Sequence, residues 1–411
     1  MKKNKHILVI GGGAAGMLAA ISAKRLGVTV TILEKNPRVG KKILATGNGR
    51  CNFTNVNADI TCFSGENPQF AQDALKTFTV EDTLRFFSEL GIQPKVEEQG
   101  KVFPMSDQAS SILDVLLYEL QDLGVNIVTE ANVVDLTKKQ DRFVISLENG
   151  QQYKGDSVII ATGGKALPSS GSDGKAYDLV TKLGHTRTDI FPALVQIMLD
   201  GKFFKRIEGV KFVGTAEIIH QGKNLALDRG DILFANYGVS GPAILQLSRI
   251  AGELLQKGQK PELKITIIDT MSLAELRRLL ENRFKLSGNK PLDFSLVGLI
   301  NKRLIPVILT EAGFTDLKRP AASLSGEEQE KICRILTDWR MKIRGTKGWT
   351  SAQVTAGGIN TNEINPQTME SKLVPGLYFA GELIDIDGKC GGFNLQWAWS
   401  SGYTAGKNAA R

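Results

Sequence analysis

Cysteine is scarce and unpaired in this sequence: Cys51, Cys62, Cys333 and Cys390 are the full set, and no two of them form a C-x-x-C. Neither a thioredoxin-type dithiol nor a zinc knuckle is offered, and a dithiol relay is disfavoured. Histidine is scarcer still. His6, His185 and His220 stand apart, without the i,i+3 or i,i+4 spacing that puts two imidazoles on one helix face, so no histidine-built metal site is expected. No charge-free apolar run reaches the ~20 residues of a membrane span. Lys2, Lys3 and Lys5 before an apolar stretch imitate a secretory leader, but Gly11, Gly12 and Gly13 break the helix such a leader needs. A cytoplasmic protein without a membrane partner is expected.

What is present is ordinary globular material: 42% hydrophobic and 23% charged residues over 411 positions, enough for two or three domains at roughly 100–200 residues each. The net charge of +8 is unevenly placed. Residues 192–352 carry 25 basic and 17 acidic side chains, while the remaining 26 of each sign cancel. The plain reading of that excess is a solvated basic surface; the sharper one is a field that draws an anionic substrate, a phosphate or RNA.

The N-terminus carries the strongest local signal. Ile7–Ile10 reads as a strand, GGGAAG as a turn, and Met17–Arg25 as a helix. Gly11, Gly13 and Gly16 occupy the G-x-G-x-x-G positions, for a tight turn, close approach of a pyrophosphate, and helix packing on strand. Gly27 ends the helix, and Val28–Leu33 forms a second strand leading into Glu34, 18 residues beyond Gly16. A carboxylate there accepts ribose hydroxyls and repels a 2′-phosphate. Further on, short alternating strands (Val133–Leu136, Arg142–Leu147), an Asn149-Gly150 turn and the strand Ser157–Ala161 precede Thr162-Gly163-Gly164. This arrangement resembles glutathione-reductase-like and fumarate-reductase-like flavoproteins, which implies FAD rather than NAD at this fold.

The C-terminal segment from Gly376 to Gly406 reads as strand, Gly-Glu turn, glycine loop and helix, and resembles a second flavin fingerprint. Gly391 and Gly392 allow backbone to approach a ring where no Cβ intrudes. A helix from about Asn394 would aim its positive end at charge developing on reduction. Glu382 stands where the resemblance implies a ribityl ligand.

Three blocks are more specific: GKKILATGNGRCNFTN (Gly40–Asn55), TAGGI with TMESKLVPGLYFAGELID (Thr355–Asp385), and GGFNLQWAWSSG. They resemble the BaiN/RdsA-type family of NAD(P)/FAD-dependent oxidoreductases, also called YhiN-like or aminoacetone-oxidase-like, over nearly the whole chain. The resemblance implies FAD contacts at Gly11, Gly13, Ala14, Ala15, Gly16, Glu34 and Lys35, and along the loop Gly40, Lys42, Thr46, Gly47, Asn48, Arg50, Cys51 and Asn52. It adds Val133, Ala161, Thr162, Gly163, Gly358, Gly381, Glu382, Gly391, Gly392, Asn394 and Leu395. Lys41, Lys42 and Arg50 are candidates to neutralise phosphate. Catalytic candidates are Arg50, Cys390 and Glu382, each with a plainer reading: a structural loop for Arg50 and Cys51, a small wall residue for Cys390, a cofactor ligand for Glu382.

The expected class is α/β: a Rossmann-like FAD domain from residues 1–191 and 351–411, interrupted by a β-barrel-like insert (192–270 and 325–350) that carries a helical subdomain (271–324). Helical spacing is read over Leu273–Phe284, Leu296–Leu309 and Gly326–Trp339, with Ser272 and Ser325 as N-caps. Gly171–Gly174 is expected to open a surface helix. No second glycine fingerprint follows a strand, so NAD(P)H, if used, is a transient visitor. The expected reaction is hydride transfer through a non-covalently held FAD, reducing an activated C=C bond of a small molecule. Alternatives are reduction of uridine in rRNA, docked through Arg340, Lys342, Arg344 and Lys347 beside a base-stacking Trp349, and O2-dependent amine oxidation. A non-catalytic flavin sensor is the remaining rival.

Overall fold

The computed structural model describes residues 5–411; Lys2 and Lys3 of the leader-like stretch lie outside the described residues. The chain divides into two compact units, residues 1–192 with 349–411 and residues 193–348.

The first unit is built on a five-stranded parallel sheet. Its members are β1 (His6–Ile10), β2 (Thr29–Leu33), β3 (Asn126–Val128), β4 (Ser157–Ile160) and β5 (Leu377–Phe379), with α1 (Ala14–Lys24) between β1 and β2, and α2 (Phe393–Ala409) after β5. The spatial order is β5-β4-β1-β2-β3. Val9 sits opposite both Ile32 and Ile159, and Ile159 opposite Tyr378. The chain moves to one side of β1 for β2 and to the other for β4, so a crevice opens at the carboxyl end of β1, where open parallel sheets take ligands. These strands are largely apolar and buried, since α1 and α2 pack on the sheet and Gly155, ahead of β4, packs on Leu8 of β1. A three-stranded antiparallel sheet, Val133–Lys139, Arg142–Leu147 and Gln152–Gly155, forms the excursion before β4.

Helices α1 and α2 meet through small residues. A Cβ on Gly402 would lie 2.4 Å from the Ala15 carbonyl oxygen, and one on Gly406 would lie 2.1 Å from that of Ala19. Both contacts advance four residues together, so the helices run parallel. Phe393 is nine residues before Gly402 and Ala14 one before Ala15; α2 therefore starts eight residues, about 12 Å at 1.5 Å per residue, ahead of α1.

The second unit contains a closed six-stranded barrel in the order Ile197–Leu199, Gly238–Ser240, Lys223–Ala235, Lys211–His220, Glu262–Thr266, Trp339–Thr346. In the last strand Trp339, Met341 and Ile343 are buried while Arg340, Lys342 and Arg344 are exposed, the period-two alternation of a strand with one face on a core. Trp339 packs between Phe203 and Phe234, with ring centroids 5.3 and 5.6 Å away.

Several expectations change here. Leu296–Leu309 is not one helix: a short turn at Leu292–Ser295 and a helix at Ile305–Glu311 replace it, because Pro306 in the first turn cannot continue a preceding helix. The helix read over Gly326–Trp339 does form, as Gly326–Thr337, inside the stretch 325–350 assigned to the β-rich insert. A helix unforeseen in the sequence, Pro242–Gln256, lies in the stretch read as β, with Pro242 in its first turn. The helix after Gly174, Ala176–Thr181, lies at the surface with Asp178 and Thr181 exposed and buries Tyr177, Leu179 and Val180 on its other face. Ser272 and Ser325 do cap their helices, in reciprocal boxes with Glu275 and Glu328.

Candidate active site

At the carboxyl end of β1 the three glycines do different work. Gly11 has φ +101°, and a Cβ on it would lie 2.6 Å from the Ala161 carbonyl oxygen; one on Gly16 would lie 1.9 Å from the Gly11 carbonyl. These two let helix, turn and strand close on each other. A Cβ on Gly13 meets no protein atom within 4 Å. Gly13 is the N-cap of α1, with no side-chain cap and no acidic residue in the first turn. The helix start, including Ala14 and Ala15, thus presents uncapped N–H groups to open space, the arrangement that receives a pyrophosphate.

Helix α2 repeats the pattern. Its N-cap is Gly392, at φ +97°, again with no side-chain cap and no acid in the first turn. Gly391 and Gly392 are held from behind. Asn55 Nδ2 donates to the Gly391 carbonyl at 2.8 Å, and a Cβ on Gly392 would lie 2.4 Å from the Thr54 carbonyl oxygen. Two positive helix ends, parallel and about 12 Å apart along the axis, suit an elongated cofactor with phosphate at one end and a ring that gains negative charge at the other. FAD fits that cradle.

Glu34 is buried at the tip of β2. Its Oε2 accepts the Gly12 N–H at 2.8 Å, and its Oε1 accepts the Asn36 backbone and side-chain N–H groups at 2.8 and 2.7 Å. Oε2 keeps a lone pair for a hydroxyl. Gly12 itself was missed as a fixed position: a Cβ there would strike Val39 at 2.3 Å. Lys35 is drawn to Asp173 at 2.9 Å, and Val133 opens the strand that follows the turn bonded to Glu34 through the Ala131 N–H. Gly163, at φ +71°, packs against Ser172, whose Oγ a Cβ would approach to 2.6 Å; the Thr162 hydroxyl faces the Gly163 carbonyl at 3.4 Å.

The loop from Gly40 to Asn52 is tightly specified. Gly40 donates to the Gly12 carbonyl at 2.8 Å. Gly47 and Asn48 take left-handed conformations, and Thr46 Oγ1 caps the Ile43 carbonyl at 2.7 Å. Asn52 Oδ1 accepts the Val102 N–H. Cys51 is fully buried, and burial pushes its thiol up to about 12, so it stays protonated.

Arg50 is held in place by carboxylates. Its guanidinium lies 3.9 Å over the Phe103 ring and bonds Glu97 at 3.0 Å and Asp107 at 3.2 Å, while Lys95 reaches the same two carboxylates. The Arg50 bond holds Glu97, and the Lys95 bond holds Asp107, below the ordinary carboxylate range. In this structure Arg50 anchors the loop, the plainer of its two readings.

Asn394 also turns inward. It closes the loop ahead of α2, accepting the Gly388 N–H and donating to the Gly388 carbonyl, both at 2.8 Å. Leu395 is half-buried against the core, Gly358 is locked to Thr188 by reciprocal 2.9 Å bonds, and Cys390 is half-buried in the loop before Gly391.

Glu382 is where the motifs meet. Gly381 is received by Ser401 Oγ and by the Trp397 indole N–H, in the second turn of α2 or beyond, and it packs on Ala15 of α1. The neighbouring Glu382 carboxylate bonds Lys42 Nζ at 2.6 Å and the Thr355 N–H at 3.0 Å. Thr355 in turn accepts the Lys165 and Ala166 N–H groups on its hydroxyl. The sequence marked Lys42 and Glu382 separately, with no signal that they pair. Tyr177, also missed, places its buried hydroxyl without a protein hydrogen-bond partner; burial first, and then the charge of Glu382, raises its pKa.

The HI0933-like protein Rossmann domain family matches residues 5–408. The chain belongs to that family. It is 40% identical to the 3-dehydro-bile acid delta(4,6)-reductase of Clostridium scindens, over 98% of this chain and 99% of that one. It is 31% identical to the ribosomal RNA dihydrouridine synthase of Escherichia coli, over 98% and 97%. Among solved structures, the open conformation of a flavocytochrome c3 fumarate reductase aligns over 100% of this chain and 78% of its own, at 18% identity and a TM-score of 0.48. This HI0933-like chain is an FAD-dependent oxidoreductase with a Rossmann-type FAD domain.

Proposed function

We propose that this enzyme is an NAD(P)H-driven reductase of a C=C bond conjugated to a carbonyl in a small, polycyclic, steroid-like substrate. The observation that carries this reading is the match, end to end and at 40% identity, to a protein named as a delta(4,6)-reductase. The name of the second relative, a dihydrouridine synthase, also describes saturation of a conjugated C=C bond. Both favour reduction over amine oxidation.

Bound FAD would supply two-electron hydride chemistry between a nicotinamide and carbon. The chain's own groups bind and orient. Uncapped N–H groups at the start of α1 would hold the pyrophosphate, Glu34 would take a ribose hydroxyl, and the uncapped start of α2 would stabilise charge gained by the ring. Non-covalent attachment is supported by where the candidate linking groups are. His6 bonds Thr31, His185 lies buried between Glu363 and Ser371, and the Cys51 thiol is held protonated. The substrate's C=C bond takes a hydride at one carbon and a proton at the other. Four cysteines without a disulfide support a cytoplasmic setting, and no helix among the described residues is long and apolar enough to cross a membrane.

A second reading, reduction of uridine in rRNA, is favoured by one feature of the barrel. Lys342 and Arg344 are exposed with no ion pair among the described residues, whereas Arg340 is tied to Asp338 at 2.6 Å and Lys347 lies over Tyr237 at 4.5 Å. Trp349, expected to stack a base, instead carries Lys165 over its ring at 5.1 Å. Anaerobic titration with NADH and NADPH separates the readings when acceptors are then added. Bleaching followed by recovery with a 3-keto-4,6-diene steroid, and none with rRNA lacking dihydrouridine, is the expected result. No bleaching by either nicotinamide contradicts the NAD(P)H-driven reading, and recovery with rRNA alone transfers the proposal to RNA.

A further inference from the structure

We propose that Lys42, gripped by Glu382, is the cation that sets the reduction potential of the bound flavin. The inference rests on the FAD reading above and adds a role to two side chains. Gly381 is fixed against Ala15 at the start of α1 and bonded by Trp397 of α2, so Glu382, the next residue, lies beside the start of α1 and the second turn of α2. Lys42 comes to it from the loop after β2, 340 positions away in sequence, and closes the pair at 2.6 Å. The second carboxylate oxygen is held by the Thr355 N–H at 3.0 Å, which fixes the carboxylate and with it the ammonium. Neither side chain is sealed in the core: Lys42 is 24% and Glu382 18% exposed. The pair is thus one charge of each sign, part-exposed, beside the seam where Gly381 meets the start of α1.

Reduction of the flavin by two electrons with uptake of one proton adds one negative charge to the ring. A fixed ammonium near that charge favours the reduced form, and a carboxylate opposes it. The pair therefore makes a signed prediction that a merely structural salt bridge does not. Lys42→Met should move the midpoint potential to more negative values, Glu382→Gln should move it to more positive values, and Lys42→Arg should stay near the parent. The measurement is equilibrium reduction of the FAD-saturated proteins by xanthine and xanthine oxidase against a reference dye, followed by visible absorbance.

Shifts of opposite sign support the role. Unshifted potentials in both variants, or shifts of the same sign, overturn it. If Lys42→Met holds no FAD at saturation, Glu382→Gln decides alone, and a potential that does not rise overturns the role. A parent that binds no FAD would instead be a failure of the underlying reading, visible before any variant is made.

Discussion

At the scale of single residues, the glycine spacing was legible because each glycine answers a local steric demand. Gly11 and Gly16 are required by contacts within the turn itself, and Gly13 by the open space before α1. Gly13→Val should therefore fold but purify colourless, since a branched side chain fills the space where phosphate meets backbone N–H groups; a yellow protein with stoichiometric FAD would misplace the phosphate. Partners supplied from far along the chain were not legible. Arg50 reads as a free cation until Glu97 and Asp107 are brought to it, and Lys42 gives no sign of Glu382. The buried His185 and half-buried His6 carry a pH consequence. Burial holds both His185 and His6 below the ordinary histidine pKa, with Glu363 and Asp156 only partly offsetting it. Their contribution to stability is present above the unfolded value near 6.5 and is lost as pH falls from there through the folded values. Denaturant midpoints should accordingly decline between pH 7 and pH 5, and less steeply in His185→Gln; a parent curve that is flat below pH 6.5 contradicts this.

At the scale of elements, strands and helices with strong periodicity were readable, and those decided by packing were not. The alternation of Trp339–Thr346 and the capping boxes at Ser272 and Ser325 declare themselves in sequence. The helix Pro242–Gln256 carried a usable signal, Gly241-Pro242 ahead of Ile244, Leu247 and Ala251, that was outweighed by β-favouring neighbours. The α1–α2 contact was invisible because Gly402 and Gly406 read as weak points in a helix until Ala15 and Ala19 are set against them. That contact is open to a direct test. In Gly406→Val the added Cβ lies 2.1 Å from a backbone oxygen that cannot swing away, so the loss should be about 1–3 kcal/mol or more. FAD affinity should fall with it, because the stagger of the two helix starts depends on this seam. Thermal unfolding and fluorescence titration with FAD check both; a variant with parental stability would mean the helices do not pack so closely.

At the scale of the whole molecule, the charge count placed the positive excess in the middle of the chain, and the barrel shows how little of it is available. Along the basic segment, Arg340 of the strand and Lys347 just beyond it are already engaged, which leaves Lys342 and Arg344. Lys342→Gln with Arg344→Gln should leave flavin content unchanged. If the RNA reading holds, RNA affinity should weaken and the slope of log K against log salt should shrink by about 1–2; equal affinity and slope in variant and parent would remove this strand from RNA binding. The family and the α/β architecture were legible because the motifs are long and ordered along the chain, while substrate choice was not, since no short motif encodes it. The central claim is spatial: one FAD lies along two staggered, parallel helix starts. A crystal structure of the FAD-loaded enzyme tests it most directly. The pyrophosphate is expected on the N–H groups of Gly13, Ala14 and Ala15, and the ring edge at the start of α2 beside Gly391 and Gly392. A pyrophosphate bound away from Gly13, or a ring turned away from the start of α2, would contradict it.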